Sequence, residues 1–239
     1  MKLGRLPDEE RDALRKKLVD AIPGWYSPWG HLAVPSIFGL GVIAGCIALL
    51  EPLHWWHLLA VPGTYLLANI GEWRAHKYWL HRRSKIAPIL YDRHTPQHHM
   101  LYVTDDMAMR DRREFRLVLI PAYGIMMIFV GVLIPVAAMW AGGLRNIALL
   151  FLATEMAYVL SYEWLHLSYH LPADSFVGRL WLVRLLRRHH AVHHDPRLMQ
   201  HWNFNVTVPL WDWVKGTLVR SVDEARSRRT GAVAERSVT

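Results

Sequence analysis

The chain has very little cysteine: Cys46 is the single one among its 239 residues. One thiol cannot form a disulfide within the chain, and it cannot provide the several thiolates of a cysteine-based zinc or iron–sulfur site. The first twenty residues, MKLGRLPDEERDALRKKLVD, are heavily charged and contain no apolar core, so no secretory signal peptide is expected there. Any metal site in this chain is therefore expected to use nitrogen or oxygen ligands.

Acidic residues are in the minority, because 20 aspartates and glutamates face 28 lysines and arginines, which gives a formal net charge of +8. A basic chain can bind nucleic acid. Here, however, 52% of the residues are hydrophobic, and the 12 tryptophans lie beside apolar runs. This combination is typical of a membrane protein, so we expect a membrane location and no nucleic-acid partner.

Four apolar stretches are long enough to cross a membrane, whose hydrocarbon core of about 30 Å needs roughly 20 helical residues. The first and second are separated only by the short connection EPLH, and the third and fourth by AGGLR, so each pair is predicted to form a helical hairpin. The sequence therefore predicts an all-α integral membrane protein with four transmembrane helices. The predicted spans are residues 32–50, 55–73, 117–140 and 146–166.

Positive charge is concentrated away from the two tight connections. Segment 74–116 and the chain after residue 170 are rich in arginine and lysine, whereas the connections carry only Arg145. Because basic residues are retained on the cytoplasmic side of a membrane, we predict that both termini and segment 74–116 are cytoplasmic. The predicted domains are an N-terminal cytoplasmic or interfacial helix (1–30), a membrane domain (31–220) and a polar C-terminal tail (221–239).

One stretch outside the predicted spans is amphipathic. Residues 176–188, FVGRLWLVRLLRR, set leucine, valine and tryptophan against four arginines. A helix of this composition places its apolar side in the acyl region and its arginines at the lipid headgroups. We therefore predict that this stretch forms a helix in the plane of the membrane interface.

Histidine is abundant, with 15 residues, and 12 of them fall on the predicted cytoplasmic side or at its boundary. Packing alone does not call for such a density, and histidines clustered at helical spacings are typical of metal sites. Ten of them form spaced groups and are the candidate metal ligands. These are His76, His81, His94, His98, His99, His166, His170, His190, His193 and His194.

The spacings in the second half of the chain fit regular helices, in which successive residues are rotated by about 100°. His166 and His170 would then share one face of a helix. His190, His193 and His194 would form one stripe that can converge on a common centre.

The spacings in the first half are less uniform. Neighbouring residues such as His98 and His99 point about 100° apart on a helix, so this pair can serve two centres. His76 and His81 would lie about 140° apart, which favours either two different metals or a break in the helix.

Ten neutral imidazoles without cysteine form a nitrogen-only donor set, which suits iron, zinc, copper or nickel rather than magnesium or calcium. Ten ligands exceed what one ion can take, whereas two ions with about five each would retain one open position per metal. Zinc usually takes four ligands, so five histidines fit an octahedral iron site better. Two irons with open positions suggest activation of dioxygen.

Other polar residues are candidates for supporting roles. Metal-bound histidines usually donate their second ring N–H to a carboxylate or a carbonyl. Glu155 lies inside the fourth predicted span, where a carboxylate is expensive, and it would either line a substrate cavity or pair with a neighbouring helix. His189 would be a spare neighbour, and His31, His54 and His57 ordinary interface residues. The candidates for the supporting shell are Glu72, Glu163, Asp195 and His201.

Taken in order, the motifs HKYWLH, HTPQHH, HLSYH and HHAVHH, followed by HWNFNVTVPLWDWVKGT, resemble those of the fatty acid hydroxylase/sterol desaturase superfamily of membrane di-iron proteins. The resemblance covers about residues 60–220. It implies four transmembrane helices under a cytoplasmic helical cap, in which the ten histidines named above hold two irons. It also implies an enzyme that uses O₂ and electrons to oxidise an unactivated C–H bond of a lipid.

The resemblance does not fix the reaction. The repeated HxxxH and HxxHH pattern of the second half favours hydroxylation, with desaturation as the closest alternative. Three residues separate the first two histidines of HTPQHH, where many hydroxylases have two. A metal carrier or transporter is a further alternative, although transporters place their ligands near the middle of the bilayer.

The cofactors and partners expected from this interpretation are two iron ions, replaceable by zinc in a purified sample, O₂ as cosubstrate, and an apolar lipid entering from the bilayer. No haem-domain motif is present in the sequence, so electrons would come from a separate redox protein. The expected location is a bacterial inner membrane, or the endoplasmic reticulum if the source is eukaryotic.

Overall fold

A computed structural model describes residues 5–228 of the chain. All regular elements within these residues are helical, which confirms the all-α prediction, and the one β-bridge joins Val103 to Asp106. The helices are α1 (Asp8–Asp20), α2 (Pro28–Ala48), α3 (Ala60–Ala75), α4 (Pro88–Arg93), α5 (His99–Leu101), α6 (Phe115–Val118), α7 (Ala122–Ala141), α8 (Arg145–Tyr169), α9 (Trp181–His193) and α10 (Leu210–Val214). Single turns of other helix types occur at Trp55–Leu59 and Arg112–Glu114 (3₁₀) and at His76–Leu80 and His94–His98 (π).

The chain forms two compact units. Among the described residues, one unit contains residues 5–21, 72–111 and 168–228, and we call it the histidine unit. The other contains residues 22–71 and 112–167, and we call it the apolar unit. The predicted tail 221–239 is helical over residues 222–228, and the part after residue 228 lies outside the described residues.

The apolar unit carries the membrane-type helices. Three helical stretches are long and apolar enough to cross a membrane, namely Pro28–Ala48, Arg112–Ala141 and Arg145–Tyr169. The second predicted span, 55–73, is divided between a 3₁₀ turn and helix α3, whose 16 residues are fewer than the roughly 20 that cross a hydrocarbon core. A fourth span therefore stays a prediction, whereas the membrane character of the chain rests on the other three.

Local signals explain where these helices begin and how they pair. Ser27 caps α2 by accepting a hydrogen bond from the Gly30 N–H at 3.0 Å. Pro28 occupies the first helical position, where a backbone N–H would have no partner within the helix, so the missing N–H of proline costs nothing. The two short connections bind each other, because Asn146 accepts from the Glu51 N–H at 3.0 Å and Arg145 pairs with the Glu51 carboxylate at 3.3 Å. This contact holds both hairpin connections at the same end of the apolar unit.

Helix α1 belongs to the histidine unit and is anchored by two buried arginines. Arg11 pairs with Asp106 at 2.9 Å, and Arg15 donates to the Leu101 carbonyl at 3.3 Å. A buried guanidinium is tolerated only when it is paired in this way. Helix α1 therefore fixes the segment around residues 101–106, which directly follows the second histidine motif.

Candidate metal centre

The ten predicted ligands come from four parts of the chain. They lie on the π turn that follows α3, on the π turn between α4 and α5, at the end of α8, and along the second half of α9. All ten side chains are buried. An uncompensated cluster of this size is unusual inside a protein, because each imidazole carries polar atoms that need partners.

The structure divides the ten histidines into two groups of five. Within each group, one ring nitrogen from every residue lies within 4.8 Å of the others. The groups are neighbours, since the ring centroids of His99 and His194, one from each group, are 4.2 Å apart. The first group is His76, His81, His94, His99 and His193, and the second group is His98, His166, His170, His190 and His194.

The π turns explain the composition of the first group. The His81 N–H donates to the His76 carbonyl at 3.2 Å, and the His99 N–H donates to that of His94, so each pair closes a turn of five residues. A regular α-helix would turn such residues about 140° apart. The wider π turn instead brings both members of each pair to one centre. Of the two alternatives predicted for His76 and His81, different metals or a break in the helix, the structure has the second, because a π turn replaces α-helix there and both residues lie in one group.

Helix α9 divides its histidines between the two groups. His193 lies in the first group, whereas His190 and His194 lie in the second. The expected convergence of all three on one centre is therefore wrong, because His193 points about 100° away from His194 around the helix and joins the other group. The divergence predicted for His98 and His99 is found, since they lie in different groups.

Backbone carbonyls orient several of the rings. The Nδ1–H of His193 donates to the Trp202 carbonyl at 2.8 Å, and that of His170 to the Met107 carbonyl at 2.8 Å. His194 makes the same kind of bond to Tyr102 at 2.6 Å, and His76 to Phe204. A neutral imidazole has one N–H, so these bonds place the proton on Nδ1 and the lone pair on Nε2.

His81 also carries its proton on Nδ1, because a hydroxyl oxygen accepts a hydrogen bond from that atom. Thr95 donates its hydroxyl proton to the Leu80 carbonyl at 2.7 Å, so its oxygen accepts from His81 Nδ1 at 3.2 Å. The Nε2 atoms of His81 and His193 then face each other at 2.9 Å, each with a lone pair and no proton between them. Two lone pairs at this distance repel unless a cation lies between the donors, so the residues fit a metal ion.

Burial keeps these imidazoles neutral. It lowers the pKa of His76 to about 4 and that of His194 to about 3, with contributions from neighbouring histidines. The pKa values of His81, His94 and His193 are lowered well below the usual histidine range for the same reasons. The neutral imidazole is the form that binds metal, so these side chains are ready to act as ligands at neutral pH.

The family model that matches the chain is described as fatty acid hydroxylase, and the match spans residues 61–217. The chain belongs to this family. All ten grouped histidines lie inside the matched region. A search of the curated proteins and a search of the solved structures each find no match to the chain. Membership of a membrane-enzyme family agrees with the three apolar helices and indicates a metal-dependent oxidoreductase that modifies lipids.

Two of the predicted supporting carboxylates in this member of the fatty acid hydroxylase family, Glu72 and Glu163, accept hydrogen bonds from backbone N–H groups. Glu72 accepts hydrogen bonds from the Thr207 N–H at 3.0 Å and the Thr207 hydroxyl at 2.6 Å, and also from the Val206 N–H. It therefore fixes the segment that follows Phe204, whose carbonyl orients His76. Glu163 accepts from the Ile120 N–H at 3.2 Å within the apolar unit.

Asp195 and His201 belong to neither histidine group. Asp195 follows His194 directly and pairs with Arg197 at 2.8 Å, which closes the turn after α9. His201 is exposed, whereas every member of the two histidine groups is buried. Their expected places in the supporting shell therefore stay predictions.

Sequence reasoning did not assign a role to Asp212, which is fully buried. Its carboxylate accepts from the backbone N–H groups of Phe204 at 2.9 Å and Asn205 at 2.7 Å, and from the Thr217 hydroxyl at 2.6 Å. His189 joins this network by donating to the Asn205 carbonyl at 3.1 Å. The available signal was a lone aspartate inside the aromatic run LWDWV.

The remaining polar residues singled out from the sequence lie in the apolar unit. Glu155 is half-buried on α8 and has no hydrogen-bond or ion-pair partner among residues 5–228. His31 contacts the Tyr26 hydroxyl at 2.7 Å and the Ile120 carbonyl at 3.0 Å. His57 accepts from the His54 N–H at 3.0 Å and caps the turn that precedes α3. A pairing of Glu155 to a neighbouring helix is thus not found among these residues, and its expected role in lining a substrate cavity stays a prediction.

Proposed function

We propose that the protein is a membrane di-iron monooxygenase that hydroxylates an unactivated C–H bond of a lipid. The observation that carries the proposal is the pair of neighbouring five-histidine groups. Both groups are buried, and hydrogen bonds to backbone carbonyls fix the orientation of several of their rings. The family match supports the oxidation of a lipid, which the histidines alone would leave open.

The donor set favours iron. Five nitrogen donors per group exceed the four that a structural zinc site uses, and they leave room for one further ligand on a six-coordinate ion. Neutral imidazoles suit iron as well as zinc, so zinc would be the natural substitute in a purified sample. Each group would hold one ion, the first through His76, His81, His94, His99 and His193, and the second through His98, His166, His170, His190 and His194.

Two iron ions bound there would activate O₂, with two electrons and two protons supplied from outside the chain, for the oxidation of a C–H bond. The chain contributes the rigid framework. The carbonyls of Trp202, Met107 and Tyr102 fix the rings of His193, His170 and His194, so the lone pairs point inward before any ligand arrives. The burial of all ten rings excludes bulk water from the centre, which limits side reactions of the oxidant.

The partners follow from composition and environment. The substrate is an apolar lipid that enters from the bilayer, because the helices that precede the site are apolar enough to span one. With one cysteine the chain cannot ligate an iron–sulfur cluster of its own, so a separate electron-transfer protein provides the reducing equivalents. We place both termini and the histidine groups on the cytoplasmic side, in a bacterial inner membrane or the endoplasmic reticulum.

Oxygen-isotope labelling tests the proposal. Membranes containing the protein are incubated with lipid extract, a reductant with its electron-transfer protein, and ¹⁸O₂, and the lipids are analysed by mass spectrometry. We expect an alcohol that carries one ¹⁸O atom, which is missing with the His193→Ala variant and present with His54→Ala, an exposed histidine outside both groups. An unlabelled alkene would identify a desaturase, and metal flux into vesicles without O₂ uptake would identify a carrier.

A further inference from the structure

Helix α9 carries ligand histidines at its C-terminal end, but its N-terminal half has an apolar surface that the histidine unit does not cover. Val183 and Leu186 are buried in that unit. On the other side Trp181 is 70% exposed and Leu185 is 54% exposed. A helix on the surface of a water-soluble unit has one apolar face, which packs against that unit. A second, exposed apolar face therefore indicates contact with another apolar environment.

The exposed apolar residues form a continuous strip. At about 100° per residue, Trp181, Leu185 and Leu182 cover roughly 100° of the helix circumference. The connector before the helix adds Phe176, which is 84% exposed. The predicted helix 176–188 in fact begins at Trp181, because residues 171–180 form turns in which Arg179 donates to the Asp174 carbonyl at 2.6 Å.

Arginines border this strip on one side. Arg184 and Arg188 are exposed and lie next to Trp181 around the helix, on the side away from Leu182. Neither has an acidic partner among the described residues. Between residues 171 and 194 four arginines face the single acidic residue Asp174. The border of the strip is therefore suited to an anionic partner.

We propose that the N-terminal half of α9 lies in the membrane interface and binds anionic lipid headgroups. Phe176, Trp181 and Leu185 would enter the acyl boundary, and Arg184 and Arg188 would contact lipid phosphates. Chain connectivity favours lipid over a partner protein, because only eleven residues separate Trp181 from Tyr169, the end of a membrane-type helix. This surface goes beyond the proposed reaction and does not depend on it.

A spin label measures the depth of this surface without metal or turnover. A nitroxide is attached at Leu185→Cys, and as a matched control at Arg184→Cys, on a Cys46→Ala background in lipid nanodiscs with and without anionic lipid. We expect the label at residue 185 to collide with O₂ several times more often than with a water-soluble nickel chelate, and the label at residue 184 to show the reverse preference.

Two results would overturn the proposal. A residue-185 label that favours the nickel chelate would place this face in water, and one shielded from both relaxants would place it against protein. The headgroup contact is tested separately with the Arg184→Gln/Arg188→Gln variant. We expect anionic lipid to increase the depth of the residue-185 label in the parent chain and not in this variant, and an equal response of both would refute the arginine contact.

Discussion

The Nε2 atoms of His81 and His193 face each other at 2.9 Å, while the proton of each ring is engaged by an oxygen on its far side. This arrangement joins the first and last histidine motifs of the chain at one point. It makes the first group depend on both residues, because neither can turn away without breaking its own hydrogen bond.

Removal of His193 should empty the first group. We expect the His193→Ala variant, purified from iron-supplied cells, to retain about half of the iron of the parent protein, because the second group keeps all five of its rings. The measurement is elemental analysis of metal per chain. The exposed control His54→Ala should retain the full amount, and equal iron in both variants would contradict the assignment of His193 as a ligand.

Loss of metal should lower stability in a way that metal restores. In the metal-free protein the lone pairs of the buried rings face one another without compensation. An ion present at 100 times its dissociation constant stabilises the folded state by about 2.7 kcal/mol. We therefore expect chelation to lower the Tm of the detergent-solubilised protein and ferrous iron to restore it. A Tm insensitive to both treatments would show that no ion binds these residues.

Asp212 should act on metal binding although it lies outside both histidine groups. An amide in the Asp212→Asn variant would place an N–H₂ group against a backbone or hydroxyl donor, and an unsatisfied buried donor costs about 1–3 kcal/mol. Metal affinity should fall by roughly 10–100-fold, as is usual when a group supporting a ligand is lost. Isothermal titration with ferrous iron and thermal unfolding measure the two effects.

The matched control for that change is Asp223→Asn, since the Asp223 side chain is 93% exposed. It should alter neither stability nor metal affinity. Asp212 accepts from the Phe204 N–H, and the Phe204 carbonyl orients His76, so this segment links Asp212 to the first group. An Asp212→Asn variant with normal affinity and a lowered Tm would show that Asp212 stabilises the fold without acting on His76 through Phe204.

Glu155 should lower the stability of the fold, because its carboxyl group lies within an apolar helix and has no partner in the described part of the chain, residues 5–228. We expect the Glu155→Leu variant to unfold at a higher temperature than the parent protein and to lose activity if the carboxyl group contacts substrate. The Ala157→Leu variant, an exposed site on the same helix, controls for the added apolar surface. A lower Tm for Glu155→Leu would instead indicate a stabilising partner for this side chain.

The ten grouped histidines could be found from sequence because their spacings are local and their residue type is rare. Their division between the groups could not, since it depends on the hydrogen-bond pattern at His76 and His94, where two π turns replace α-helix. The carbonyls that orient the histidine rings could not be predicted from the sequence either. Any residue has a carbonyl, so nothing in the letters marks Trp202 or Phe204 as acceptors.

Membrane helices were predictable to the extent that length and hydropathy decide them. Three of the four predicted spans coincide with long apolar helices, whereas the stretch 55–73 begins with a 3₁₀ turn that a hydropathy window does not register. The start of α9 was placed five residues too early, because the apolar residue Phe176 belongs to a turn rather than to the helix.

The two π turns make the length of a histidine motif and its local winding inseparable. Deleting one residue between His94 and His98 would let the chain return to ordinary α-helical winding, because the two histidines that close the turn would then be four residues apart and about 40° apart on one helix face. A motif one residue shorter would therefore keep both histidines at one centre only if α-helix replaced the π turn, so motif length and backbone winding cannot change independently here.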